Sequence, residues 1–268
     1  MRKPNISDLP KAASDDFEGR FREVLADPSN RYIPRCENAG TLQDGFIIMH
    51  NGIKVIPDYY GDFSRILLLN KGVHEPQEER MFMEVLKFMQ PGATMIELGA
   101  YWAFYSMWFQ QQIADAKNFM IEPNLDALRC GINNFKLNNM TGLFFHAGIG
   151  AGGMDFNKFL LDYKINYIDL LHMDIQGAEI YFLTNFMEIF TLKKAGYVFI
   201  STHSQDLHMQ CLHFLKDVNY MIVASADFDN ETFCYDGVIV ARNSTMPGLN
   251  PIQLDVRVRI PGTPYVIN

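Results

Sequence analysis

The chain is poor in cysteine, and what it has is scattered. Its 268 residues include four cysteines, Cys36, Cys130, Cys211 and Cys234, with no C-x-x-C pair. Neither a zinc knuckle nor a dense disulfide framework is expected, so the thiols are read as reduced. No Lys/Arg-rich run occurs and the net charge is −8. That balance argues against nucleic acid and against an anionic membrane surface as partners. No stretch nears the ~18 consecutive apolar residues of a membrane-spanning helix. The opening residues M-R-K-P-N-I-S-D-L-P lack the apolar core of a signal peptide, so a cytoplasmic location is expected. Two nucleotide-binding signatures are also missing. Without G-x-G-x-x-G there is no basis for NAD or FAD, and without G-K-[ST] none for a phosphate loop.

What is present is an ordinary globular composition, 48% apolar and 20% charged, long enough to bury a sizeable core. Residues 1–30 are polar and proline-punctuated and read as a loosely ordered arm. Residues 31–92 read as an N-terminal addition forming an acceptor wall or lid. Within it Asn51-Gly52 separates two β-rich runs, a hairpin signal. A helix follows, with proline in its first turn and Pro91-Gly92 past its end. Tyr59, Tyr60, Phe63 and His74 belong to this wall by position.

From 93 to 242 strands and helices alternate. Strands are expected at 94–98, 118–122, 143–147, 168–174, 197–202, 219–225 and 233–241. Helices are expected at 103–114, 124–137, 155–163, 177–190 and 206–217. Such alternation predicts an α/β fold, a doubly wound and mostly parallel seven-stranded sheet. The short turn at Asp229-Asn230 makes the last pair a hairpin, so the final strand is antiparallel. Residues 243–268 form an extended tail, with an edge strand expected at 255–260.

In a doubly wound sheet ligands bind outside the carboxyl ends of the strands, and there the chain places acids. Glu97 precedes Gly99-Ala100 in T-M-I-E-L-G-A-Y-W-A-F-Y-S, where glycine lets a ligand approach the backbone. Tyr101 and Trp102 are the loop aromatics nearest such a ligand. Glu122, in M-I-E-P-N, is placed to take both hydroxyls of a ribose, and Asn124 suits a helix N-cap. Asp174 ends the apolar strand I-D-L-L-H-M-D, whose His172 reads as a core histidine. The next helix begins near Glu179, an acid that favours a helix start. His203 follows the fifth strand and is the candidate general base, with Asp174 orienting the acceptor or the base. The same pair is also a candidate holder of Mg²⁺ or another divalent ion. His208 and His213, five apart, share no helix face and form no metal pair.

Together M-I-E-L-G-A-Y-W-A-F-Y-S, M-I-E-P-N, I-D-L-L-H-M-D-I-Q-G-A-E and the upstream H-E-P-Q-E-E resemble the FkbM family of S-adenosylmethionine-dependent methyltransferases, over roughly residues 72–242. The resemblance implies the class I methyltransferase fold, with a Rossmann-like sheet. It also implies O-methylation of a hydroxyl on a sugar, glycan or small natural product. By it, Glu97, Gly99 and Ala100 lie against the methionine part of the cofactor and Glu122 takes the ribose diol. Ala147 and Gly148 border the adenine, and Tyr101, Pro123, Asn124 and Asp174 complete the cofactor-binding set. The expected partner is a small-molecule or carbohydrate acceptor, and a homodimer is compatible with the class. The chain departs from the pattern G-A-N-x-G at Tyr101 and Ala103. It also carries His172-Met173-Asp174-Ile175-Gln176-Gly177 where the pattern has Lys-x-Asp-x-Glu-Gly. The loop substitutions motivate an alternative, a catalytically silent relative that binds cofactor or a partner. An aminopropyl-transferring relative would need an acidic cluster for a polyamine, and the sequence shows none near the strand ends.

Overall fold

A strand buried on both faces has to alternate its side chains between two cores, and the central strands here do so. In the computed structural model, which describes residues 15–57, 64–150 and 152–257, the strand Thr94–Leu98 sends Met95 into one hydrophobic cluster and Ile96 and Leu98 into another. Both clusters continue across the sheet. Met120, Leu170, Phe199 and Val240 share the first, and Ile121, Leu171, Ile200 and Ile239 the second.

In chain order the elements begin with α1 (Asp15–Ala26) and a small antiparallel sheet of β1 (Leu42–Gln43), β2 (Phe46–Ile48) and β3 (Lys54–Val55). The Asn51-Gly52 hairpin therefore forms, with β1 added at its edge. Gly52 takes φ +87 there and Asn51 Oδ1 accepts from the Ile53 N–H. Helices α2 (Ser64–Leu69) and α3 (Pro76–Leu86) lead into β4 (Thr94–Leu98). The core then runs α4 (Phe104–Gln112), β5 (Lys117–Glu122), α5 (Leu125–Leu137), β6 (Leu143–His146), α6 (Phe156–Asp162), β7 (Ile168–Met173), α7 (Glu179–Asn185), α8 (Met187–Thr191), β8 (Ala195–Thr202), α9 (Gln205–Asp217), β9 (Tyr220–Ala226) and β10 (Gly237–Asn243).

The large sheet has the order β6-β5-β4-β7-β8-β10-β9, parallel except for β10, which is antiparallel to both neighbours. This is the class I methyltransferase, Rossmann-like layout. Helices α3, α4 and α5 cover one face; α6, α7, α8 and α9 cover the other. The chain reverses its winding between β4 and β7, which makes their carboxyl ends the topological switch point.

Three elements depart from expectation. The helix read over 177–190 is divided at Phe186, whose backbone leaves helical geometry while its ring packs against Phe156 and Phe182. The last strand starts at Gly237, not 233, so Asp236 lies in the loop before it. No strand forms in the described part of the tail read as an edge strand, residues 255–257. The tail instead binds by single contacts: the Leu249 N–H donates to the Tyr197 hydroxyl at 2.7 Å and Arg257 pairs with Glu23. Tyr59, Tyr60 and Phe63, placed in the wall by sequence, lie outside the described residues.

Helix α3 is anchored from below. Glu79 is fully buried. One of its oxygens accepts the His74 and Glu75 N–H groups at 2.8 and 3.0 Å, closing the first turn behind Pro76. Its carboxylate also meets His74 Nδ1 at 2.7 Å and His50 Nε2 at 3.2 Å. The helix lies on the sheet through Phe82, whose ring meets Phe199 at 5.6 Å.

Candidate active site

The switch point opens into two adjoining cavities, of about 500 and about 220 Å³. Their shared floor is the turn after β4. Gly99 has φ +75, and a Cβ there would lie 1.7 Å from the Asp174 carbonyl oxygen. Only glycine lets the ends of β4 and β7 meet so closely. The Asp174 N–H closes the junction on the Leu98 carbonyl at 2.9 Å. Beyond it Tyr101 and Ala103 both take left-handed backbone, φ +45 and +62.

Glu122, at the end of β5, organises this loop. Its two oxygens accept the Tyr101 N–H at 2.9 Å and the Asn124 N–H at 2.8 Å. Asn124 caps α5 as read, accepting from Asp126 and Ala127. Glu122 borders both cavities. The smaller one continues over Pro123, Ala147, Gly148, Ile149 and Ile175, an apolar slot beside a carboxylate. The larger one takes in Glu97, Ala100, Tyr101, Asn124, Asp174, His74, Glu75, Tyr105 and Asp236. All the residues assigned to the cofactor by sequence thus border one cavity or the other.

His203 does not line either cavity; it stands one layer behind. Its Nε2 is 3.1 Å from Asp174 Oδ1 and 3.4 Å from Asp236 Oδ1, and its Nδ1 is 3.3 Å from Glu179 Oε1. Burial alone would lower its pKa. The bonds to Asp174 and Glu179 and the charge of Asp236 outweigh burial and raise it to about 10. His203, the expected general base, thus stands among three carboxylates behind the cavity wall. Glu179 in turn accepts the Ile175 and Gly177 N–H groups.

Burial, and then the nearby Asp174 charge, push Asp236 up to about 8 despite His203. Burial likewise pushes Glu97 up to about 7, against His172 and the hydrogen bonds from Ser106. Both carboxyls titrate close to neutrality, where proton-transfer groups are most effective. His172 is buried as expected, bonded to Glu78 Oε1 at 2.7 Å, while Ser201 donates to the other Glu78 oxygen. His208 is also internal, between the Thr202 and Ser225 hydroxyls, and burial lowers its pKa to about 4. His213 is exposed.

Sequence reasoning missed Glu75, Gln176, Tyr235 and Asp236 as lining residues. Glu75 accepts the Tyr105 hydroxyl at 2.7 Å and pairs with His74 Nε2 at 3.2 Å. A signal for Asp236 did exist. An antiparallel last strand begins at the edge where parallel strands end, so an acid just before it joins their crevice.

No family model matches the chain. A Jannaschia sp. (strain CCS1) protein described as "Putative methyltransferase" is 38% identical over 91 residues. The match spans 30% of this chain and 30% of that protein's length. Among solved structures, the precorrin-6y C5,15-methyltransferase of Geobacter metallireducens overlaps 64% of this chain and 90% of its own, at 17% identity and a TM-score of 0.46. The M. capricolum TrmK, solved with S-adenosylhomocysteine, overlaps 61% and 68% at 16% identity and a TM-score of 0.42. Structural overlaps this weak bear on no individual residue.

Proposed function

We propose that the chain is an S-adenosylmethionine-dependent O-methyltransferase of FkbM type, acting on a hydroxyl of a sugar, glycan or small natural product. The observation that carries this reading is Glu122. It fixes the loop after β4 by two backbone bonds while facing an apolar slot on one side and the larger cavity on the other. The cradle at Gly99, which a Cβ would fill, suits close backbone approach by the cofactor. The segment resembling FkbM proteins and the 91-residue match to the Jannaschia protein support the same class.

Bound there, S-adenosylmethionine supplies an electrophilic methyl group on a sulfonium. Glu122 holds the ribose hydroxyls, and Pro123, Ala147, Gly148 and Ile149 wall the adenine. Glu97, below Gly99 and Ala100, faces the methionine ammonium. The rest of the larger cavity receives the acceptor. Among the described residues its lining includes Glu75, Glu97, Glu122, Asp174 and Asp236 but no lysine or arginine, which disfavours phosphate or carboxylate acceptors and admits a neutral polyol; the same acids form the cluster that the sequence did not show and that an aminopropyl-transferring relative would need. Asp174 orients the hydroxyl, whose proton passes to the cluster that Asp174 forms with His203 and Asp236. Orientation of that hydroxyl toward the methyl group and exclusion of water supply most of the rate.

Calorimetry with S-adenosylmethionine and S-adenosylhomocysteine tests the cofactor, with Glu122→Gln as control. Hydrogen bonds to an ionised group contribute roughly 1.5–3 kcal/mol each, so the variant binds at least ~10-fold more weakly. Micromolar binding, ~−8 kcal/mol, opens a screen of sugars and natural products. Binding without turnover across that screen points to the catalytically silent alternative. No binding by the unmodified protein ends the assignment.

A further inference from the structure

Asp174, His203 and Asp236 come from three separate stretches of chain, yet they bring one ligand atom each within 4.8 Å of one another. We propose that these three side chains bind a divalent transition-metal ion at the acceptor end of the cavity. The sequence pointed to Asp174 and His203 alone, as holders of Mg²⁺ or another divalent ion. The third donor and the support behind the histidine alter both the completeness of the site and the ion it selects.

The two separations from the histidine are those of donors around one ion. Two atoms each about 2.1 Å from a metal lie about 3.0 Å apart at a right angle and about 3.4 Å apart at the tetrahedral angle. His203 Nε2 is 3.1 Å from Asp174 Oδ1 and 3.4 Å from Asp236 Oδ1. The second separation is long for a hydrogen bond but suits shared coordination.

The side of the imidazole away from the cluster supplies an independent observation. Metal-binding histidines commonly give their other ring N–H to a carboxylate, which orients the ring and fixes its tautomer. Glu179 is the carboxylate on that side, at ion-pair distance from a ring nitrogen that is buried without a hydrogen bond. It is fully buried, is held by the Ile175 and Gly177 N–H groups, and has Oε1 3.3 Å from His203 Nδ1. Its other oxygen is buried without a hydrogen-bond partner. The Gln176 amide nitrogen is 2.8 Å from both His203 Nε2 and Asp174 Oδ1, a donor lying between two of the ligand atoms.

One imidazole and two carboxylates suit Mn²⁺, Co²⁺ or Zn²⁺ better than Mg²⁺, which favours oxygen donors and keeps its waters. Asp174 and Asp236 also line the larger cavity, so the positions left open on the ion face the acceptor. On the methyltransferase reading, on which this part rests, a hydroxyl or vicinal diol of the acceptor binds the ion. The ion lowers the hydroxyl's pKa and orients its oxygen.

The test uses the full chain, stripped with chelator, and Mn²⁺ as the probe, followed through loss of the free-ion EPR signal. One Mn²⁺ binds per chain and is displaced by Zn²⁺. Affinity falls at least ~10-fold in Asp236→Asn and in His203→Gln, and it is unchanged in Glu122→Gln. Circular dichroism melts establish that each variant is folded. Binding that survives in both folded ligand variants overturns the site, as does absence of Mn²⁺ binding by the unmodified protein. Calorimetry with S-adenosylhomocysteine in chelator separates the two readings. Cofactor binding without Mn²⁺ binding removes the metal and leaves the function; Mn²⁺ binding without cofactor binding does the reverse.

Discussion

With the cofactor placed as proposed, Glu97 should couple its binding to pH. It is buried under the turn after β4, faced by His172 and Asp174, and bonded by Ser106. Burial raises its pKa from 4.5 to about 7, so the empty site takes up a proton that an unfolded chain would release. The sign follows from linkage: this group's contribution to stability is full below pH 4.5 and is lost as pH rises through about 7. An ammonium placed against Glu97 reverses the preference, because it binds the ionised carboxylate. Cofactor affinity should therefore fall as pH drops from 8 to 6, by about 10-fold or about 1.4 kcal/mol for a group titrating near 7. At pH 6.5, binding releases about 0.8 proton; at pH 8, about 0.1.

Calorimetry with S-adenosylhomocysteine in two buffers of different ionisation enthalpy reads both quantities. The buffer dependence of the enthalpy should be large at pH 6.5 and nearly vanish at pH 8. Asp236 and His203 also titrate in this region of the protein, so Glu97→Gln serves as the control and should abolish the dependence. A dissociation constant that is the same at pH 6 and pH 8 in the unmodified protein, with buffer-independent enthalpy, refutes the placement of the ammonium on Glu97.

Two further perturbations test the scaffold. Gly99→Ala and Gly92→Ala both put alanine at positive φ, +75 and +79, but only the first drives its Cβ into backbone, at Asp174. Urea denaturation followed by tryptophan fluorescence should show about 1–2 kcal/mol lost at Gly92 and clearly more at Gly99; equal losses would mean that β4 and β7 do not meet as described. Glu79→Gln leaves His50 and His74 without their shared buried carboxylate, and breaking such a pair costs about 3–5 kcal/mol. Glu75 and Glu79 raise His74 to about 10 against burial, so the contribution of this histidine is full below pH 6.5 and declines as pH rises toward 10; a variant melting like the parent at pH 6 removes that network from the stability of α3.

The parts legible in the sequence were those set by local pattern. Apolar runs ending in Glu97, Glu122 and Asp174 gave β4, β5 and β7 to within a residue or so, because a strand buried on both faces leaves little freedom in its composition. Asn51-Gly52 gave its hairpin because the turn needs backbone that glycine adopts freely. The break at Phe186 was hidden, since its cause is a ring packing against Phe156 from α6, a contact that helical periodicity does not encode.

The surroundings of His203 were hidden for a deeper reason. Position alone put the histidine after a strand end, where a proton acceptor is useful. Its chemistry depends on Glu179 reaching back from the start of α7 and on Asp236 arriving before the antiparallel β10. Reading that strand from 233 placed Asp236 inside it, where its side chain would belong to one face of the sheet. Starting the strand at Gly237 instead puts the acid at the carboxyl edge of β8, beside Asp174. That shift gives the histidine a second aspartate neighbour. The reversal of one strand thus decides what the neighbouring histidine can do, and a motif confined to β7 and α7 cannot carry that information.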